Sequence, residues 1–262
     1  MNLTPITFSD IQTSDLVYFD ASIRDKCLQF CKDRDIDCLP SIIDPMKFYR
    51  KTETDFVEES VKPEMMVDVS DYIFKDKLLK KFRDNHLLFV YMNEELTGVV
   101  HFSDYNRPEI NLFIFKLFSY YERSLRKLLV SLRYGNKDIL DYFKHESETK
   151  KTKKEQEYYK DKIDGYNKHL SRNELLPCFE RFDLKDLLEF AGHHKIMNLD
   201  QKIAVLRNDI MHAHELVNKR DANRDDYIYD FESFEKFFER VIALLNDNKR
   251  VNNRIGFSEI GR

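Results

Sequence analysis

The feature that most constrains the fold is a change in hydrophobic pattern near Pro108. Before it, short apolar runs at 38–43, 87–91 and 96–102 read as strands, and helical stretches and turns separate them. After it, apolar residues recur at helical spacing, as at 110–133 and 231–246, with almost no strand pattern. A chain of 262 residues has room for two domains. We therefore expect an α+β domain at residues 1–107 and an all-α helical bundle at residues 108–262, with Gly135 ending its first long helix.

Residues 136–172 are the most polar part of the predicted helical domain. They include four lysines between positions 150 and 154. Two interpretations are open, a solvated helical excursion and a mobile insert. The acidic neighbours Glu155, Glu157 and Asp161 favour a solvated helix with compensating charges over a surface that binds RNA phosphates.

Composition excludes several classes of protein. No apolar run approaches the ~20 residues that a membrane-spanning helix needs, and the N-terminus lacks the order of a signal peptide. We therefore expect a cytoplasmic protein with no membrane partner. The net charge of −4 argues against a uniformly basic nucleic-acid coat but permits a local basic groove. The six glycines cannot form a phosphate-binding P-loop or a dinucleotide fingerprint.

The four cysteines do not predict a metal site. Cys27, Cys31 and Cys38 are close in sequence, but a zinc centre takes four ligands and no fourth lies nearby. Buried, reduced thiols are the expectation in a cytoplasmic protein.

The N-terminal domain contains an internal repeat of strand, helix, strand and strand. Residues 67–73 open a copy with a predicted helix at 71–84 and strands at 87–91 and 96–102. Residues 17–23 open a less complete copy with a helix at 22–34 and strands at 38–43 and 48–51. The closing segment Gly98-Val99-Val100-His101-Phe102-Ser103-Asp104 resembles the end of a CBS (cystathionine-β-synthase-type) module. The domain is thus similar to a tandem CBS pair, which implies an adenine nucleotide as regulatory ligand with Ser103 and Asp104 as binding residues. The alternative is a pair of repeats that only packs and dimerises.

The richest stretch for chemistry lies in the predicted helix at 199–212. Its residues are Leu206-Arg207-Asn208-Asp209-Ile210-Met211-His212. At about 100° per residue, Asn208 and His212 share a helix face, and Arg207 points roughly 140° away from His212. An imidazole transfers protons near neutral pH, and a guanidinium grips two phosphate oxygens. The pattern resembles the motif of HEPN (higher eukaryotes and prokaryotes nucleotide-binding) ribonucleases, and a weaker version surrounds Glu122 and Arg126.

The HEPN resemblance implies a homodimeric endoribonuclease of the conditional toxin or antiviral type. Arg207, Asn208 and His212 would be its catalytic residues at a composite dimer site, with RNA as substrate and no metal or cofactor for catalysis. Other interpretations stay open. In a non-catalytic interpretation, Arg207 is an ordinary solvated charge and His212 is a histidine favoured by the helix dipole. Asp209 is interpreted as a surface or salt-bridge residue. The whole protein is alternatively a non-catalytic nucleotide-sensing and dimerisation module, or a metal-dependent nuclease.

Overall fold

The computed structural model describes residues 4–172, 174–200, 203–211, 216–220 and 227–260. The fold is α+β, as predicted, with helices dominating the C-terminal half. The residues form two compact units, one of 1–113 with 214–239 and the other of 114–213 with 240–262. This division differs from a single boundary at residue 107, because it groups 214–239 with the N-terminal part. Among the helices of the described residues, none combines the length and apolar character that a membrane span requires.

The helices are distributed along the whole chain. They are α1 (Phe8–Ile11), α2 (Arg24–Asp33), α3 (Asp76–Asn85), α4 (Pro108–Ser131), α5 (Asn136–Thr149), α6 (Lys153–Ser171), α7 (Leu184–His193), α8 (Ile203–Met211) and α9 (Phe231–Ile260). The strands are β1 (Cys38–Pro40), β2 (Lys47–Lys51), β3 (Phe56–Ser60), β4 (Met66–Asp68), β5 (Leu87–Met92), β6 (Glu95–His101), β7 (Asn218–Arg220) and β8 (Tyr227–Tyr229).

The first unit contains the predicted strand-helix-strand-strand order. In its second half β4 is parallel to β5, β5 is antiparallel to β6, and α3 connects β4 to β5. In its first half the opening strand is reduced to one parallel bridge between Phe19 and Ser41, after which β1, β2 and β3 form an antiparallel sheet. The order of elements is therefore confirmed in the second half and shortened in the first. The helix α3 begins at Asp76, five residues later than predicted.

Two local features explain the β5–β6 hairpin. Asn93 and Glu94 both have positive φ, 51° and 68°, and a two-residue turn of this kind matches the twist of antiparallel strands. In β6, a Cβ atom at Gly98 would lie 2.5 Å from the Gln12 Oε1 atom and 2.9 Å from the Thr13 carbonyl oxygen. Only glycine allows this close approach.

Aromatic packing places residues 231–239 in the first unit. The Phe234 ring lies 5.4 Å from the Phe82 ring and 5.0 Å from the Tyr105 ring, measured between centroids. All three residues are buried, and the Tyr105 hydroxyl donates to the Ile73 carbonyl at 2.8 Å. Burial of such rings supplies much of the stabilisation of a small core.

A short hairpin corrects the expectation that strands are almost absent after Pro108. The strands β7 and β8 pair antiparallel ahead of α9. Hydrogen bonds of the Asn106 side chain link Leu216 and Asn218 to the N-terminal part of the first unit. The side-chain oxygen of Asn106 accepts from the Leu216 amide at 2.8 Å, and its amide nitrogen donates to the Asn218 side chain at 2.9 Å. A strand of three residues is too short to produce a clear alternating pattern in the sequence.

The polar segment 136–172 is helical and contributes to the core of the second unit. It forms α5 and α6, which bury aromatic side chains on their inner faces. These residues are Tyr142, Phe143, Tyr159 and Tyr166. The Tyr166 ring stacks on Phe182 at 5.7 Å between centroids, and Phe143 lies 5.6 Å from the same ring. The segment is therefore helical, as one of the two interpretations predicted. It is not a solvated excursion, because its buried aromatic residues belong to the core of the second unit.

The end of α4 differs from the prediction. Arg133, with φ of 68°, adopts the left-handed conformation that ends the helix, and the Tyr134 amide donates to the Leu129 carbonyl at 3.1 Å. Gly135 is the N-cap of α5, and its amide donates to Asp138 at 2.7 Å. Backbone hydrogen bonds at the helix end stabilise a conformation that sequence rules assign to glycine.

Candidate functional site

Apolar packing orients the helix that carries the motif. The buried residues of α8 are Ile203, Leu206 and Ile210. Their burial leaves Arg207 partly buried and Asn208 exposed. The described helix ends at Met211, and His212 lies outside the described residues, so its catalytic role stays a prediction.

Arg207 and Asn208 line a cavity of about 380 Å³ in the second unit. Its other polar lining residues are Tyr158 on α6 and Asp183, Lys185 and Glu189 at α7. The volume falls in the range of ordinary ligand sites, roughly 300–1,000 Å³. Two of the three predicted catalytic residues therefore face one cavity, together with charged and aromatic groups from two further helices.

An ionic network around the buried Asp186 lies beside this cavity. The Lys162 ammonium donates to Asp183 at 2.7 Å and to Asp186 at 2.8 Å. The Tyr158 hydroxyl donates to the other Asp186 oxygen at 2.9 Å. Asp183 and Asp186 also exchange backbone-to-carboxylate hydrogen bonds of 3.0 Å as the capping box of α7. The Asp186 side chain is fully buried, so these donors replace the water that its charge would otherwise require.

The network shifts the pKa values of its members in different directions. Burial opposes the charge on Lys162, but hydrogen bonds to Asp183 and Asp186 outweigh it, so the Lys162 pKa is raised. Burial also pushes the Asp183 pKa upward, but the hydrogen bond from Lys162 and the charges of Lys162 and Arg207 hold that pKa below its usual value. Burial and then the charge of Asp183 raise the pKa of Asp186. The cluster thus holds one firmly ionised carboxylate and one that is easier to protonate.

Lys185 and Glu189 contribute a second, weaker ion pair to the cavity wall. The Glu189 Oε2 atom accepts from the Tyr159 hydroxyl at 2.9 Å. The Lys185 Nζ atom lies 3.8 Å from Glu189 Oε1 and 4.3 Å from the centroid of the Tyr158 ring. With half of its side chain exposed, Lys185 is held only by weak contacts and can change rotamer.

The Arg207 guanidinium has no hydrogen bond or ion pair with any other residue that the structure describes. Its charge helps to lower the Asp183 pKa without a direct contact. The next acidic residue on the helix, Asp209, forms a 3.6 Å ion pair with Arg240, which confirms the salt-bridge interpretation of Asp209. Within the described part of the chain the Arg207 donors are therefore unoccupied, and a guanidinium binds carboxylate or phosphate oxygens in pairs.

Arg126, in the weaker second motif, is a structural residue. Its Nε atom donates to the Phe179 carbonyl and its Nη2 atom to the Phe182 carbonyl, both at 3.1 Å. It also pairs with Glu122 at 3.4 Å. These bonds fix the segment that precedes α7 and leave few donors for a substrate.

Ser103 and Asp104, the predicted nucleotide-binding residues, lie in a short helical turn after β6. The Asp104 Oδ2 atom accepts from the His101 amide at 2.8 Å, and Oδ1 accepts from the Arg107 Nε atom at 3.0 Å. Ser103 exchanges a 2.8 Å hydrogen bond with the His101 ring. A carboxylate offers about four acceptor positions, so Asp104 retains acceptor capacity beside its capping role.

The cysteines are all free. Cys27 and Cys31 are buried against Leu39 in the first unit, as expected. Burial raises the pKa of Cys38 to about 12, which keeps its thiol protonated and unreactive. Within the described ranges, no group of three or more potential ligands is placed to hold a metal ion.

Sequence reasoning missed the residues that surround the motif. Tyr158 and Lys162 are one helical turn apart on α6, a spacing that puts them on one face. Asp183 and Asp186 have the three-residue spacing of a capping box. Both signals are present in the sequence, but neither indicates that the two pairs meet.

Comparison with protein-family models, curated proteins and solved structures returned no match to the chain.

Proposed function

We propose that the protein is a metal-independent endoribonuclease of the HEPN type, acting in conditional toxicity or antiviral defence. The observation that carries the proposal is the cavity shared by Arg207 and Asn208, with Arg207 unpaired among the described residues. An arginine that is partly buried and has no acidic partner among the described residues is suited to bind a phosphodiester. The neighbouring Asn208 adds a neutral donor and acceptor to the same wall.

The proposed reaction transfers a phosphoryl group within the RNA strand. The 2′-oxygen loses a proton and bonds to the adjacent phosphorus, while the bond from phosphorus to the 5′-oxygen breaks and that oxygen gains a proton. A 2′,3′-cyclic phosphate and a 5′-hydroxyl result. His212 is the proposed proton-transfer group, because an imidazole both accepts and donates near neutral pH. Arg207 stabilises the charge on the non-bridging oxygens, and Asn208 orients the phosphate.

The direct test is incubation of the purified full chain with end-labelled RNA in excess EDTA. Cleavage that leaves cyclic phosphate ends supports the proposal. Cleavage that EDTA abolishes and added divalent metal restores would identify a metal-dependent nuclease instead. Specific RNA or nucleotide binding without cleavage would favour the rival function, a non-catalytic sensing and dimerisation module.

We predict that the active species is a homodimer with a composite site. A single chain supplies one Arg207 and one His212, and a two-fold axis would bring two of each to one cleft. Inactive Arg207→Ala and His212→Ala chains should therefore regain part of the activity when mixed, because a mixed dimer holds one intact Arg and one intact His. Specific activity should also fall with dilution. An unchanged specific activity down to nanomolar protein, with no gain on mixing, would count against a dimer.

We further propose that the first unit binds an adenine nucleotide that regulates cleavage. The support is the arrangement of β4, α3, β5 and β6, and the acceptor capacity that Asp104 keeps at the end of β6. A carboxylate at a strand end is a suitable partner for a ribose hydroxyl. Ser103 adjoins it and carries a second hydroxyl group.

We predict that one or more adenine nucleotides raise the melting temperature of the full chain and change the rate of RNA cleavage. Binding to the folded state stabilises it by mass action. Asp104→Ala should reduce the nucleotide-induced shift while leaving basal cleavage intact. Because this substitution also removes the cap on the His101 amide, each shift is measured against the same variant without nucleotide. A panel of AMP, ADP, ATP, NAD, S-adenosylmethionine and cyclic dinucleotides that produces no shift at millimolar concentration would leave a dimerisation module as the better description.

A further inference from the structure

We propose that Lys185 and Tyr158 form a binding subsite for single-stranded RNA beside the motif helix, with Lys185 on a backbone phosphate and Tyr158 stacked on an unpaired base. The inference rests on the proposed ribonuclease function, which it extends by naming the residues that hold the substrate strand. Both residues line the same cavity as Arg207 and Asn208. Binding of a phosphate next to the scissile one is therefore assigned to this same cavity.

The charges of the cavity support Lys185 as the phosphate ligand. Lys185 and Arg207 are cationic, and Asp183 and Glu189 are anionic. Asp183 accepts a 2.7 Å hydrogen bond from Lys162, which shares its charge between Asp183 and Asp186. Glu189 has one oxygen held by the Tyr159 hydroxyl at 2.9 Å. Lys185 is joined to Glu189 only at 3.8 Å, so it can move to a phosphate at little energetic cost.

The position of Tyr158 supports a stacking role. Its hydroxyl is fixed by the buried Asp186 at 2.9 Å, so the ring is held in one orientation. The Lys185 ammonium lies 4.3 Å from the ring centroid, in the place that a nucleobase would take. When Lys185 swings toward a phosphate, it uncovers the ring, and the base attached to that phosphate can stack there. A duplex cannot supply such a base, because its bases are stacked and paired.

The test for Lys185 compares Lys185→Ala, Lys185→Arg and the control Lys168→Ala in the full chain. Lys168 is an exposed lysine on α6 that does not line the cavity. We expect Lys185→Ala to raise KM for single-stranded RNA about 5- to 10-fold with kcat changed less than twofold. The slope of log(kcat/KM) against log[salt] should become shallower by about 1, since one phosphate contact is lost. Lys185→Arg should keep the slope, and Lys168→Ala should resemble the wild type.

The test for Tyr158 compares Tyr158→Phe with Tyr158→Leu. Both lose the hydrogen bond to Asp186, but only the first keeps the ring. We expect Tyr158→Leu to bind single-stranded 2′-O-methyl RNA at least fivefold more weakly than Tyr158→Phe, with equal affinity for duplex RNA. The 2′-O-methyl probe lacks the attacking hydroxyl, so binding is measured without cleavage.

The outcomes separate this inference from the proposed function. Cleavage by the wild type with Lys185→Ala and Lys168→Ala indistinguishable, or with Tyr158→Phe and Tyr158→Leu equal in binding, overturns the subsite and leaves the ribonuclease standing. Binding of the probe that depends on Lys185 and on the Tyr158 ring, without cleavage of any RNA, supports the subsite and overturns the ribonuclease. A wild type that neither binds nor cleaves RNA overturns both.

Discussion

We expect His212→Ala to lower the rate of RNA cleavage by about 10²- to 10⁴-fold, the usual loss when a positioned acid–base group is removed. His212 is the only residue of the motif that transfers protons near neutral pH. The variant should keep its melting temperature and its dimer. The measurement is a single-turnover cleavage rate with end-labelled RNA in EDTA. His214→Ala, two residues further along, is the matched control and should keep most of the activity.

The Arg207 variants extend the same experiment. Arg207→Ala should lose a comparable factor, because the phosphate loses its guanidinium contact. Arg207→Lys should not restore activity, since an ammonium cannot make the paired hydrogen bonds. Full activity in purified His212→Ala would show that the motif is not the catalytic site, and full activity in Arg207→Lys would show that Arg207 does not act through paired hydrogen bonds.

The largest expected effect on stability follows from Lys162. We predict that Lys162→Met lowers the free energy of unfolding at pH 7 by about 3–5 kcal/mol, because it leaves the buried Asp186 and the neighbouring Asp183 without a counter-charge. Methionine keeps most of the lysine stem, so lost packing is a minor contribution. Urea denaturation of the variant and the wild type measures the difference. Lys168→Met, on the exposed part of the same helix, should change it by less than about 0.5 kcal/mol.

The difference between Lys162→Met and the wild type should shrink as the pH falls from 7 to 5. The Asp186 pKa is already raised by burial, and loss of Lys162 raises it further. A raised acid pKa means that the folded chain takes up the proton first, so lowering the pH through that value favours folding of the variant. The lowered Asp183 pKa makes no contribution in this pH range. In the wild type it contributes stability that is present above the unfolded Asp pKa and is lost only as pH falls below that value through the folded one, a range that lies below pH 5. An equal difference at pH 7 and pH 5 would contradict this assignment.

Local patterns in the sequence predicted most of the helices and strands. The apolar runs at 87–91 and 96–102 identified β5 and β6. The helical spacing at 110–133 and 231–246 identified α4 and the first half of α9. These features depend on residues within a few positions of one another, so backbone propensity and capping rules are sufficient to find them.

The candidate site was predictable only in part. The sequence identified Arg207 and Asn208 as neighbours on a helix, and the structure places both on the cavity wall. It did not indicate that Tyr158, Lys162 and Lys185 belong to the same region, because α6 was treated as a solvated segment. The buried tyrosines of that segment are separated by many charged residues. A prediction based on the number of charges therefore did not detect the apolar face of the helix.

The sequence by itself determined the α+β class, the helical C-terminal half and the chemical character of the motif, since each of these depends on residue type and short-range spacing. Only the tertiary structure decided that Phe234 packs in the core of the first unit, that Arg133 ends α4, and that Lys162 pairs with two aspartates 21 and 24 positions away. The physical reason is that burial and charge pairing are set by three-dimensional neighbours. The sequence does not distinguish a lysine and an aspartate that are solvated on a surface from a pair at the wall of a cavity. Their interaction energy differs between these two environments because folding removes water from the pair in the cavity.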